Sequence, residues 1–212
     1  MSHVKEKIIE NELIKIRITA LMDLYSHALR FYQSQGSQNE NQCVYGFLKG
    51  RIEGTTRIIT DVETILHHPT PDLVFNDDFF KDMDDFNARY IEEESSERII
   101  GWYKSSNQGD IKFKAVDVRN HLRFQSLNKM FIAMIVNPLV FINNEGYGFS
   151  FYTLIPDSYG EYNIMSGAAK IPWEIMPLGD DKDLIIRKMK EYIIKALNGK
   201  EFITELSEAF QE

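Results

Sequence analysis

The run Met130 to Val136 is apolar at every position, and this constrains the fold of the 212-residue chain more than any other feature. Successive side chains of a strand point to opposite faces, so a strand without polar positions needs cover on both sides. It reads as a central strand of a sheet flanked by helices. Asn137 and Pro138 interrupt the apolar stretch. It therefore falls short of the roughly 18 apolar residues that a membrane span needs.

Other segments supply the partners. Ile14, Ile16 and Ile18 alternate with Lys15 and Arg17, a half-buried strand pattern. Thr19 is expected to cap a helix whose apolar face is Leu21, Leu24, Tyr25, Ala28, Leu29 and Tyr32 and which ends before Gly36. Ser34 to Gln42 reads as a loop, and Val44–Leu48 and Thr56–Ile65 as a hairpin turning at Glu53-Gly54. His67 to Asp72 carries two prolines and is expected to be irregular. Phe79, Phe80, Met83, Phe86, Tyr90 and Ile91 mark one face of a second helix with an acidic first half. Arg98–Tyr103 and Tyr147–Leu154 complete the strands, and Val118–Leu127 reads as a third helix. Asp180 or Asp181 starts a helix carrying Leu184, Ile185, Met189, Tyr192, Ile193 and Ala196, followed by a short helix near Phe202 to Phe210. The fold class is mixed α/β, α+β in character: a single domain over 14–180, an extension over 1–13 and a helical tail over 181–212.

Composition narrows the function. The formal charge is -8, with 24 Lys+Arg against 32 Asp+Glu, so the chain has no basic surplus for phosphates and general nucleic-acid binding is not expected. One cysteine, Cys43, cannot form an intramolecular disulfide. With no signal-like stretch in the first thirteen residues, a soluble cytoplasmic protein is expected.

Several motifs in order carry a resemblance: Tyr45-Gly46-Phe47-Leu48-Lys49-Gly50, Thr60-Asp61-Val62, Gly101-Trp102-Tyr103 followed by Asp117, Ala133 to Leu139, and Ile171-Pro172-Trp173-Glu174-Ile175. Together they resemble the MPN/JAMM domain, whose sheet is cytidine-deaminase-like and flanked by helices. Active members are zinc isopeptidases that cut ubiquitin or related modifiers from lysine. Two imidazoles and a carboxylate hold the ion and leave one position for water, while a Glu moves the proton. Aligned on Gly101-Trp102-Tyr103, this chain has Lys104 and Ser106 where the resemblance implies the two His ligands, and Asn107 at the Pro. Lys114 falls at the Ser, Cys43 at the general-base Glu, and only Asp117 is retained. The resemblance therefore implies a zinc-less pseudoenzyme without cofactor, like non-catalytic members in the proteasome lid, signalosome and translation-initiation complexes. Its partner would be an MPN paralogue, a second copy or a ubiquitin-like modifier.

Other readings stand beside this one. Asp117 can cap the helix from Val118, or join His121 with His67 or His68 in a rearranged metal set serving a divergent isopeptidase. Cys43 reads as a buried small hydrophobe. Lys104, Lys112 and Lys114 read as a basic surface cluster. Phe79, Met83, Phe86 and Tyr90 are either core or a partner patch, and Ile185, Met189 and Ile193 are expected partner contacts on the terminal helix.

Overall fold

The computed structural model describes residues 7–32, 42–106, 111–143, 145–176 and 182–197. In chain order the elements are β1 (Lys7–Ile8), β2 (Leu13–Arg17), α1 (Ile18–Tyr32), β3 (Cys43–Glu53), β4 (Thr56–His68), α2 (Asp77–Glu92), β5 (Arg98–Ser105) and α3 (Ala115–Leu127). They continue with β6 (Ile132–Val136), α4 (Pro138–Ile142), β7 (Phe149–Leu154), β8 (Ala168–Ile171), β9 (Trp173–Met176) and α5 (Lys182–Leu197). The helix expected near Phe202 lies outside the described residues.

β6 is central and buried at all five positions, as its sequence demands. Ile132, Met134 and Val136 pack into one cluster with Leu21, Leu24, Tyr25 and Leu29 of α1, Phe141 of α4, and Met189 and Ile193 of α5. Ala133 and Ile135 face the opposite cluster, built with Phe79, Met83 and Tyr90 of α2 and Phe124 of α3. Each face is closed by helices of complementary periodicity.

Local chemistry sets the element ends. Asn76 caps α2 by accepting from the Phe79 N–H at 3.2 Å, and Asp77 and Asp78 occupy the first turn, where the helix dipole favours anions. α1 follows β2 directly, so Thr19 lies inside the helix and is not its cap. His67 and His68 are strand residues and not loop, because β3 pairs Val44 with His67 and Cys43 with His68.

The sheet order is β1-β8-β7-β6-β5-β3-β4-β2-β9. β8 and β9 stand towards opposite ends of that order, yet only Pro172 separates them in the chain. The sheet therefore curls until its ends meet. Along this seam β1 runs parallel to β8 and β2 parallel to β9, and the Ile14 N–H donates to the Pro172 carbonyl at 2.9 Å. Pro172 lacks an N–H and fits only where the ladder breaks. β1 and α5 fall outside the expected 14–180 limits, but both pack on the sheet or its helices. Among the described residues no helix is long and apolar enough to cross a membrane.

β5 approaches β6 closely at Gly101, where a Cβ would lie 2.1 Å from the Ile132 carbonyl oxygen. The neighbour is backbone and cannot turn away. Gly101→Ala should lower the unfolding free energy by at least the roughly 1–3 kcal/mol typical of overpacking, read as an earlier urea midpoint with unchanged slope.

Candidate functional site

β5 directs Trp102 towards the α2/α3 side of the sheet, and Lys104, two residues on, shares that face by strand alternation. α3 starts immediately after Lys114, so Asp117 sits in its first turn. The Asp117 Oδ2 accepts from the Lys114 backbone N–H at 2.8 Å. Asp117 is thus not the residue before the helix, as expected for a cap. It reaches back from inside the first turn to satisfy the backbone there.

Its other oxygen, Oδ1, lies 2.5 Å from Lys104 Nζ. Lys104 also donates to the Pro71 carbonyl at 3.0 Å. The Lys104 and Asp117 side chains are only 2% and 1% exposed. Burial pushes the Asp117 carboxyl up from its ordinary range, while Lys104 and the Lys114 backbone pull it back. The expectation of a basic surface cluster is corrected at Lys104, which points inward. Lys114 does remain near the surface, with Nζ 3.6 Å from Asp72. The neighbouring residues Pro71 and Asp72 are therefore each reached by a lysine, one buried and one at the surface.

The family model described as JAB1/Mov34/MPN/PAD-1 ubiquitin protease matches residues 11–130, more than half of the chain. The chain belongs to this family. A relative, COP9 signalosome complex subunit 5 of Neurospora crassa, is 28% identical over 129 residues, covering 59% of this chain and 35% of that protein. The chain thus matches about a third of the length of this curated relative.

A zinc centre of the family type needs two imidazoles beside the carboxylate. In this MPN domain the donor set does not fit. The retained carboxylate holds an ammonium at 2.5 Å, and that ammonium comes from the position of the first imidazole. Ser106 is buried, with its backbone N–H donating to the Val136 carbonyl at 2.6 Å. Cys43 is fully buried at the start of β3, in the apolar cluster with Tyr45 and Phe47. Asn107 lies outside the described residues.

The rearranged set does not come together either. His121 is fully buried, and its Nδ1 accepts from Trp102 Nε1 at 3.1 Å. Burial pushes its pKa down to about 3, so the ring is neutral. His68 Nδ1 is engaged by the Thr70 N–H at 3.2 Å, and His67 faces His27. Among the described residues no three His, Cys, Asp or Glu side chains are grouped to hold a metal.

Of the expected partner contacts, Phe79, Met83 and Tyr90 are buried in the core and Phe86 packs partly buried against it. Met189 and Ile193 are fully buried among the residues that line α1. The α2 stripe is therefore core, one of its two expected readings, and the outward reading is corrected at Met189 and Ile193, because the sheet faces need that apolar cover. The side chain of Ile185 lies outside the described residues. Other apolar groups do reach solvent: Ile91 of α2, at 59% exposure, departs from its expected place on the apolar face, and Tyr159 and Met165 on the β7–β8 loop are 89% and 85% exposed. Sequence reading missed Pro71, whose contribution is a backbone carbonyl, and His27, whose partner lies on a distant strand.

Lys104→Met strands Asp117 as a buried uncompensated charge and should destabilise the fold by about 3–5 kcal/mol. Adding Asp117→Leu should recover most of that loss in a denaturation cycle. His121 supplies a pH signature. The folded ring stays neutral down to about 3 while the unfolded one protonates below 6.5. The unfolded state therefore binds the extra proton, and stability falls by about 1.4 kcal/mol per unit as pH drops through that window. His121→Gln, which keeps an acceptor for Trp102, should flatten the slope of unfolding free energy against pH.

Proposed function

We propose that this MPN domain is catalytically silent and serves as a protein-binding subunit of a cytoplasmic assembly, paired with a catalytic MPN-domain protein or with a second copy of itself. The observation that carries the reading is the buried Lys104–Asp117 pair, which uses the remaining family carboxylate inside the fold. With Cys43 at the base position and Ser106 at the second ligand position, these residues can neither hold a divalent ion nor move a proton to and from a metal-bound water. The similar Neurospora crassa protein is, by its name, a subunit of a complex, which supports a role in assembly.

The test combines elemental analysis, turnover and mass in solution on the untagged protein. Substoichiometric zinc, no cleavage of ubiquitin-like conjugates, and either self-association or a stable complex with a catalytic MPN protein are the expected results. Stoichiometric zinc with turnover would replace this reading with a divergent isopeptidase. Saturable binding of free ubiquitin-like modifier without an MPN partner would replace it with a non-cleaving modifier reader.

A further inference from the structure

His27 on α1 and His67 on β4 meet with their Nε2 atoms 2.8 Å apart. The ring planes differ by only 19° and the centroids are 5.0 Å apart, so the rings meet edge to edge and the two nitrogens lie between the centroids. Phe31, one helical turn after His27, stacks on His67 at 3.6 Å between centroids with planes 22° apart, and backs the pair from one side. His67 is exposed and His27 half-buried, so the nitrogens can be reached from water. This cluster is separate from the Lys104–Asp117 pair and has no part in the reading given above.

We propose that His27 and His67 form a bidentate site for a divalent transition-metal ion that favours square-planar or tetragonal nitrogen donors, Cu²⁺ or Ni²⁺, with water in the remaining positions. Two nitrogens each about 2.0 Å from a metal and about 90° apart are separated by about 2.8 Å, while a tetrahedral angle needs about 3.3 Å. The spacing here is 2.8 Å. In the metal-free pair one Nε2–H donates to the other Nε2. Binding requires the donor ring to shift its proton to Nδ1 and both rings to pivot so that their lone pairs converge, with no net proton released.

Neutral imidazole is the ligating form, and the surroundings favour it. Burial, then His67 and Arg30, bring the His27 pKa down to about 4, and burial lowers that of His67. Arg30 lies close enough to His27 to weaken attraction for the ion. Among the described residues no third His, Cys, Asp or Glu joins the two, and water in the remaining positions keeps the ion exchangeable.

The experiment titrates Cu²⁺ and Ni²⁺ separately into the untagged full chain. His3→Ala is used throughout, so that an amino-terminal copper site cannot contribute. One saturable site per chain is expected, with two-nitrogen superhyperfine splitting in the electron paramagnetic resonance of the copper form. His27→Gln and His67→Gln should each abolish that splitting and the saturable binding, while His68→Gln leaves both intact. Thermal unfolding of each variant separates ligand loss from misfolding. Binding that is non-saturable, or that persists unchanged in both Gln variants, overturns the proposal. Zinc content and conjugate turnover, which test the silent-domain reading, are unaffected by either outcome.

Discussion

The sheet must be dry on both faces, and most of the architecture follows from that requirement. β6 has no polar side chain to offer water, so one helical layer has to close each side. Burying roughly 25 cal/mol of favourable free energy per Å² of apolar surface binds both layers to the same five residues. β5 lies parallel beside β6. The chain leaving β5 therefore emerges at the carboxyl end of two parallel strands, where open α/β sheets place their ligand sites. α3 returns to that point and delivers Asp117. The packing of the core thus places Lys104 and Asp117 together at that end of the sheet.

At that position the buried Asp117 carboxylate is met by a charge fixed to the chain. An ammonium on a four-carbon stem cannot polarise water as a doubly charged ion does, but it can compensate a buried carboxylate. The pairing also ties elements together. Lys104 reaches from β5 to α3 and to the Pro71 carbonyl, so strand, helix and connecting loop share one polar node. A buried ion pair adds little net stability over an apolar substitute, yet breaking it by removing one partner is expensive. Such a pair holds its neighbours in a single arrangement more than it deepens the fold.

The sequence is legible wherever periodicity speaks. The apolar run of β6, the stripe of α1 and the hairpin all appear near their expected places, with β3 and β4 longer because backbone pairing continues past the last apolar residue. Aligned on Gly101-Trp102-Tyr103, Lys104 and Ser106 stand where the resemblance implies imidazoles. What remains hidden depends on which surfaces meet. Lys104 looks like a surface cation because its partner is 13 residues on and its second acceptor is a backbone oxygen 33 residues back. The α2 and α5 stripes can be assigned to either core or partner until the helix orientation is known. β8 and β9 are four residues each, too short for a clear alternating pattern.

The curl at Pro172 has a consequence for the order in which the chain can fold. β1 has β8 for a neighbour, and the outer side of β2 is covered by β9. Both partners come from the far part of the sequence. As the polypeptide emerges from the ribosome, β2 can pair early with β4, but its other row of backbone groups must wait for Trp173–Met176. Pairings this distant in sequence form slowly, and an uncovered strand row is a template for intermolecular association. The nascent domain is most prone to aggregation in the interval before its last strands arrive, and closing the seam removes that hazard.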